Sequence, residues 1–453
     1  MMTTSLWQQY GRDSSLQHQI ALRSTQGNLS WQALAAEINA RAVLFRQQGV
    51  GMGTGVGLCG KNSLEFVLAY LAVLQLQGRV LGINPAFSPE KIQRICQDNQ
   101  IAFLFHEETG LVPTGEGKTC SPLFHSLTLT LTSGSSGNPK AVVHNIKAHL
   151  DNAQGVCRLM AFNEQDTWLL SLPLFHVSGQ GILWRWLSCH GILMLPGEDF
   201  YGSVLEATHV SLVPTQLQRM FAYIEMQQCL SWRTQHILLG GTHIPIALTQ
   251  KLSQLNIQSY SGYGMTEMAS TVCAKKSDEH VGVGQPLLGR ELRLVDEEIW
   301  LKGAGLGLGY WQNGAVVPFT NSEGWLQTRD KGIWVNGELV IIGRLDNQFI
   351  SGGENIQPEE IEALLQQYPT VKQAFVLPVD DVEFGQRPVA MVQFSGDFST
   401  AQVTELRSWI AEKIEKFKQP IAYYPLPIQA QHGIKISRVM LKQALVQLLR
   451  KDE

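Results

Sequence analysis

No stretch of this chain is apolar for long enough to cross a bilayer. The longest, residues 64–76, is interrupted by Glu65 and Gln75 and falls short of the roughly 20 residues a spanning helix needs. Residues 1–19 are polar, so no secretory leader is expected and the chain reads as cytoplasmic. Basic residues never cluster into a run, and the net charge is −4 at pH 7. Nucleic acid and anionic membranes are therefore poor partners, and small molecules are the expected ones. Cysteine is scattered: the seven, from Cys59 to Cys273, are odd in number and contain no Cys-x-x-Cys pair, which argues against a disulfide framework and a zinc site. They read as reduced thiols.

What is present suffices for a large core. At 453 residues, 44% hydrophobic and 16% charged, the composition is that of a globular enzyme of two or three domains. Residues 29–105 alternate helix-like and strand-like segments. Helical spacing covers 31–48, a short strand 56–59, a mostly apolar helix 63–77 and a strand 79–83; a further helix runs to 97 from a Ser88 cap with Pro89 in its first turn. That alternation predicts an α/β architecture with a largely parallel sheet. The Gly51-x-Gly-x-Gly-x-Gly57 run looks like a dinucleotide loop, but its glycines precede a strand where that motif needs them to follow one.

A second alternation predicts helices at 146–160, 216–226 and 245–255 and strands at 168–172, 209–213, 236–239 and 257–260. Two turns follow strand ends, Gly240-Gly-Thr-His-Ile-Pro245 and Ser261-Gly-Tyr-Gly-Met-Thr-Glu267, where ligands bind in open α/β sheets. From 282 to 343, short β-like runs punctuated by Gly and Trp predict a small antiparallel β subdomain. Beyond it, Pro358 with Glu359 and Glu360 opens a helix, strands are expected at 374–378 and 389–394, and an amphipathic helix at 404–417. The expected fold is α/β: a large N-terminal domain of α/β subdomains plus a small β subdomain over residues 1–343, then a small mobile α+β C-terminal domain over 344–453.

The richest stretch is 128–140, Thr-Leu-Thr-Leu-Thr-Ser-Gly-Ser-Ser-Gly-Asn-Pro-Lys. Its alternating first half predicts a half-buried strand. In its second half Gly134 and Gly137 let the backbone approach a polyphosphate, Ser133, Ser135 and Ser136 can donate hydrogen bonds, and Lys140 brings a mobile positive charge. Pro139 and the β-favouring Ala-Val-Val-His after Lys140 exclude the helix that backs a Walker A loop, so strand, loop, strand is expected. A Ser/Gly-rich surface turn is the plain alternative.

Residues 132–140 match [Thr/Ser]-Ser-Gly-[Ser/Thr]-[Thr/Ser]-Gly-x-Pro-Lys throughout, and the chain thereby resembles the adenylate-forming enzymes: acyl-CoA ligases, peptide-synthetase adenylation domains and luciferases. Further motifs of that family recur in order over nearly the whole chain. The resemblance implies that Thr132, Ser133, Gly134, Ser135, Ser136, Gly137 and Lys140 bind the phosphates of ATP. In Tyr263-Gly264-Met-Thr266-Glu267, Tyr263 resembles the residue that stacks on adenine, Thr266 the α-phosphate contact and Glu267 a ligand of Mg2+. The chemistry agrees, since an aromatic face suits a purine and a carboxylate near a triphosphate needs a cation between them. Gly240 and Gly241 resemble the pair that lets adenine and the acyl group pass close to the backbone. Asp330 resembles the ribose-binding Asp, although Arg329 stands where the family pattern has Gly. Arg344 matches the second ribose contact and Asp346 the hinge. Gly433-Ile-Lys-Ile-Ser-Arg438 keeps Lys-Ile-x-Arg of the last family motif with its Gly displaced by one, which makes Lys435 the expected catalytic lysine ahead of Lys442. Its charge would stabilise departing pyrophosphate.

His176, in Pro-Leu-Phe-His-Val-Ser-Gly, resembles a residue at the acyl-pocket wall, with Ser178 on the same segment; a core histidine is the other reading. Helical geometry over 178–188 puts Ser178, Gly181, Arg185 and Ser188 on one face of an otherwise apolar helix. If buried, Arg185 needs a partner, either an acid from a distant segment or an anionic ligand, for which the second carboxylate of a dicarboxylic aryl acid is expected.

The resemblance implies an acyl-CoA ligase using ATP, Mg2+ and coenzyme A. A carboxylate attacks the α-phosphate to give an acyl-adenylate, and a thiol then displaces AMP. One site serving two steps accounts for a hinge that exchanges Lys435 for the Ser351-Gly-Gly353 loop. Three rivals stand beside it: an adenylation domain, for which no carrier domain follows before Glu453, a ligase for another fatty or aryl acid, and a non-catalytic nucleotide-binding regulator. Whether the chain forms a homo-oligomer is left open.

Overall fold

The computed structural model describes residues 5–115, 125–132, 139–427, 436 and 438–452. Two compact units divide the chain. The first takes in the residues before 133, Pro139–Glu291 and Lys302–Leu326; the second takes in Leu292–Leu301 and the residues from 327 on.

The first unit is built on two eight-stranded sheets. One runs in the order Ser270–Lys276, Gln258–Met265, His236–Leu239, His209–Leu212, Thr167–Leu169, Ile192–Met194, Ile20–Ser24, Gly27–Ser30. Its inner strands pair in parallel and its two edge strands antiparallel. The other runs Ala315–Val317, Gly309–Gln312, Ala141–Asn145, Leu127–Leu131, Arg79–Ile83, Gly55–Cys59, Phe103–His106, Gly110–Pro113. Strands Gly55–Cys59 and Arg79–Ile83 are buried at every position, as parallel strands covered on both faces must be.

Local chemistry accounts for the helices around these sheets. Ser30, Ser63 and Asn145 each accept a bond from a first-turn amide and open Trp31–Gln47, Leu64–Gln75 and Ile146–Met160. Leu64–Gln75 is apolar nearly all round and buries every residue from Phe66 to Leu74, so it lies inside the core, not on its surface. Leu127–Leu131 and Ala141–Asn145 pair antiparallel, so the strand expected at the start of the 128–140 stretch and the one expected after Lys140 are both present, while residues 133–138 lie outside the described residues.

The β-rich region expected as one subdomain over 282–343 is divided. Arg290–Val295, Glu298–Gly303, Leu326–Val335 and Glu338–Arg344 form a four-stranded sheet. Gly309–Gln312 instead pairs with Ala141–Asn145 in the first unit. Trp311 explains the departure: it is buried there, with the Arg79 guanidinium 4.1 Å from its ring centroid.

In the second unit Val371–Asp381 and Gly385–Phe394 form a long antiparallel hairpin, flanked by Phe349–Ser351 and Glu354–Ile356, with Tyr423–Pro425 parallel to Gly385–Phe394. Ile361 and Leu365 of Pro358–Leu365 and Leu406 and Ile410 of Thr400–Ala411 pack on this sheet with Val376 and Val392. The second helix starts four residues earlier than periodicity suggests because Ser399 caps it at Gln402. Among the described residues no helix is long and apolar enough to cross a membrane.

Candidate active site

At the two ends of the 132–140 stretch, the Thr132 amide donates to the carbonyl of Lys140 at 2.9 Å. Ser133, Gly134, Ser135, Ser136 and Gly137 lie outside the described residues. Lys140 is exposed, and its Nζ lies over the Tyr310 ring, 5.1 Å from the centroid.

Tyr263 and Gly264 end the strand Gln258–Met265, and Thr266 and Glu267 begin the single turn Thr266–Met268. The register against Ser270–Lys276 shifts between Tyr263 and Gly264, a bulge that only glycine permits: a Cβ on Gly264 would lie 2.1 Å from the Ser270 carbonyl. Glu267 is half-buried, and its Oε1 accepts from the Tyr310 hydroxyl at 2.8 Å while its backbone carbonyl accepts from the Gly307 amide at 2.8 Å. Beneath it the buried His144 ring is lowered to about 4 by burial, against the opposing pull of the Glu267 and Thr266 carbonyls. Among the described residues no cluster of three His, Cys, Asp or Glu could hold a metal alone. One carboxylate fits Mg2+ that arrives on a triphosphate, since that ion keeps waters and takes one or two protein carboxylates. Gly240 and Gly241 follow the strand His236–Leu239; Gly241 has φ +86, a left-handed backbone that favours glycine, and a Cβ there would meet Val213 Cγ1 at 3.6 Å, an ordinary contact.

His176 is the N-cap of Val177–Cys189, where its carbonyl accepts from the Gly179 and Gln180 amides, and its ring meets Phe175 edge-on. Ser178 is partly buried in the first turn. Two turns on, Arg185 is 1% exposed. Its Nη1 donates to the Ser211 hydroxyl at 3.4 Å, and its Nη2 to the hydroxyls of Ser270 at 3.3 Å and Thr271 at 3.2 Å. Among the described residues its Nε has no partner, and burial lowers its pKa to about 10, so it stays charged at neutral pH. Gly181 on the same stripe makes the room, because a Cβ would come within 2.9 Å of Ser270 Oγ and 3.1 Å of Arg185 Nη2. The distant acid that was one reading for Arg185 is absent: among the described residues no carboxylate reaches it.

In the second unit Arg344 Nη1 lies 2.8 Å from Asp330 Oδ1, and Arg344 Nη2 lies 3.2 Å from Asp346 Oδ2. Asp330 and Arg344 are cross-strand partners, which sets this pairing. Arg329 adopts φ +63, the turn glycine would take, and its amide donates to Glu298 Oε1 at 2.9 Å. Arg329 thus holds a left-handed conformation that glycine adopts without strain. Asp346 lies in the short turn Leu345–Asn347 and also faces Arg329 Nε at 3.2 Å. Lys435 lies outside the described residues. Three positions later Arg438 donates to the Val376 carbonyl at 2.9 Å and to both Glu362 oxygens at 2.7 and 2.8 Å. Burial pushes Glu362 up to about 7, with Arg438 acting against it.

Tyr310, Ser211, Ser270 and Thr271 escaped the sequence reading. Gly307 and Gly309 were the available signal for Tyr310; the three hydroxyl residues come from distant segments with no local pattern.

The arrangement is that of an ATP-using, adenylate-forming enzyme. The chain belongs to the AMP-binding enzyme family: that family's profile matches residues 12–311, and the profile of the AMP-binding enzyme C-terminal domain matches 360–428. It is 55% identical to the 2-succinylbenzoate–CoA ligase of Haemophilus influenzae over 450 residues, 99% of each chain. Among solved structures, E. coli MenE with an arginine-to-lysine substitution and bound OSB-AMS matches with a TM-score of 0.86 at 40% identity, covering 98% of this chain and 99% of that one. The O-succinylbenzoate coenzyme A synthetase (MenE) of Bacillus subtilis in complex with ATP and magnesium ion gives 0.80 at 25% identity, covering 93% and 95%.

Proposed function

We propose that the chain is an ATP-dependent acid–thiol ligase that converts 2-succinylbenzoate and coenzyme A to 2-succinylbenzoyl-CoA through an acyl-adenylate, releasing AMP and pyrophosphate, a step of menaquinone biosynthesis in the cytoplasm. The observation that carries the choice of acid is Arg185, a buried cation with hydroxyl partners and, among the described residues, no carboxylate. Such a charge is held ready for an anion, which the second carboxylate of this substrate supplies and benzoate does not. Full-length identity to a ligase for the same acid supports the reading.

In this reading Tyr263 stacks on adenine, the paired Asp330 and Arg344 receive the ribose, and Thr132, Lys140 and the loop between them hold the phosphates. Glu267 holds Mg2+, which spreads the charge of the triphosphate. Gly240 and Gly241 clear a path for adenine and acyl group, His176 and Ser178 line the acyl side, and Thr266 contacts the α-phosphate. Lys435 stabilises the charge that develops as the acid's oxygen displaces pyrophosphate. Residues 344–453 then turn about Asp346, and the thiol of coenzyme A attacks the acyl carbon and expels AMP.

A pyrophosphate-release assay over a panel of carboxylic acids tests the assignment. Release should be fastest with 2-succinylbenzoate; equal rates with benzoate or fatty acids would overturn it, and no release with any acid would favour a non-catalytic nucleotide binder. Lys435→Ala should abolish adenylate formation while sparing thioester formation from supplied acyl-adenylate, and equal loss in both would remove Lys435 from its role.

A further inference from the structure

None of the family motifs quoted above contains Tyr310, yet it touches both charged groups of the proposed MgATP site. Its hydroxyl donates to Glu267 Oε1 at 2.8 Å, and Lys140 Nζ lies 5.1 Å from its ring centroid. The backbone on its N-terminal side is held at two points: Gly307 N–H donates to the Glu267 carbonyl and Leu308 N–H to the Val143 carbonyl, both at 2.8 Å. Antiparallel pairing sets Tyr310 opposite Val142, so the strand that starts just after Lys140 runs alongside it. Phe319 braces the ring edge-on at 5.1 Å. This path exists because 307 and 309 are glycines. A Cβ on Gly309 would come within 2.2 Å of the Val317 carbonyl, and one on Gly307 within 3.1 Å of the Val143 carbonyl and His144 Nε2.

One phenol thus serves two opposite charges, its hydroxyl edge the carboxylate and its face the ammonium. With a spacer of the wrong chemistry, Lys140 and Glu267 would close on each other as an ion pair, and an incoming nucleotide would have to separate them before either could act. We infer that Tyr310 is a positioning residue for the adenylation step. It ties Glu267 through one carboxylate oxygen, leaves the other for a magnesium ion carried by the triphosphate, and keeps Lys140 apart for the phosphates. Among the described residues the Glu267 carboxylate has no other hydrogen bond or ion pair, which leaves Oε2 available. The inference rests on the reading of Glu267 as a magnesium ligand and Lys140 as a phosphate ligand.

Calorimetric titration of ATP without any acid, at a series of magnesium concentrations, reads this as binding and not as turnover. Tyr310→Phe keeps the ring beside Lys140 and removes only the hydroxyl, so the magnesium concentration giving half-maximal ATP binding should rise about 10- to 100-fold, the worth of one hydrogen bond to a charged group. Metal-free ATP binding and the KM for 2-succinylbenzoate should not change. Tyr310→Leu removes the face as well, and metal-free ATP binding should then weaken about 2- to 5-fold. Combined with Glu267→Gln, Tyr310→Phe should add nothing to the effect of Glu267→Gln alone, because both act through one carboxylate. An additive loss in that double variant would mark a packing defect and overturn the inference. So would a Tyr310→Phe enzyme with wild-type magnesium dependence beside a shifted Glu267→Gln enzyme, an outcome that leaves the reading of the site intact. If Glu267→Gln itself binds MgATP as the wild type does, the magnesium role of Glu267 falls and the inference with it.

Discussion

Two arginines of the first unit are buried to the same degree and held in opposite ways. Arg79, at 0% exposure, donates to the carbonyls of Gly53 at 3.1 Å, Asn99 at 3.2 Å and Gln100 at 2.9 Å, and lies over Trp311. Gly55 makes the room, since a Cβ there would lie 2.8 Å from Arg79 Nη2. Arg185, at 1% exposure, also lies over a tryptophan, Trp168, 5.1 Å from the ring centroid, but its hydrogen-bond partners are three hydroxyls at 3.2 to 3.4 Å, and among the described residues its Nε has none. A carbonyl presents a fixed acceptor, whereas a hydroxyl rotates and can give a proton as readily as take one. The fold supplies fixed acceptors to the first cation, and in the proposed function the second answers to a ligand. Burial alone would not have separated the two; the chemistry of their partners does.

The contrast breaks or holds on two substitutions. Arg79→Met strands three buried carbonyls at about 1–3 kcal/mol each, so a stability loss of about 4 kcal/mol or more is expected in urea denaturation, with kcat/KM of the folded protein within about 3-fold of wild type. A variant that melts like the wild type would show that Arg79 is not structural. Arg185→Met should do the reverse. Losing one partner of a desolvated pair costs about 3–5 kcal/mol, so kcat/KM for 2-succinylbenzoate should fall by about 10²–10³-fold or more, with ATP binding retained. Its stability without substrate should stay within about 1–2 kcal/mol of wild type, because Met removes a buried charge that no described carboxylate balances and the three hydroxyls left behind can rotate to other partners, as fixed carbonyls cannot. An Arg185→Met protein that unfolds would place Arg185 beside Arg79 as structural, and unchanged kcat/KM would remove it from the acyl site.

How far each arginine was legible follows from where its partners come from. Arg185 was readable because the helical period sets it with Ser178, Gly181 and Ser188, and the structure uses Gly181 for clearance as that stripe suggests. Arg79 gave no signal, because its acceptors are backbone carbonyls of two loops and no side-chain pattern encodes a carbonyl. The same limit hid the route of Gly309–Gln312 to Ala141–Asn145, a pairing between segments far apart in sequence that divides the β-rich region. Contiguous motifs fared better. The Tyr263 to Glu267 turn has its bulge at Gly264, and a helix expected at 146–160 is Ile146–Met160 because Asn145 caps it. At Arg329 the family pattern's glycine is missing, yet φ +63 is a conformation glycine adopts freely, so the residue type alone did not disclose the turn.

Buried bases that can discard their charge sharpen the same comparison, with a smaller effect. His144 and His209 are each lowered to about 4 and His149 well below its ordinary value, burial being the largest cause in all three. An arginine buried without partners must find some way to keep its charge; a histidine becomes neutral and waits for acid. The unfolded chain takes up protons on these rings from about pH 6.5 downward while the fold resists until about 4, so their contribution is complete above about 6.5 and is lost as pH falls towards 4. Each ring adds a slope of about 1.4 kcal/mol per pH unit in that window. Neither arginine contributes there, since each is charged in both states. Glu362, raised to about 7, opposes the three rings with one proton, so urea midpoints should change little from pH 8 to 7 and fall between about pH 6 and 5 by the rings less that carboxyl, above most of the carboxylate range. His144→Gln, which keeps a polar side chain but cannot titrate, should flatten that fall by about one proton, or about 1.4 kcal/mol per pH unit. An unchanged slope would mean that His144 takes up its proton inside the fold, and that the pocket beneath Glu267 tolerates a charge as the pocket of Arg185 does.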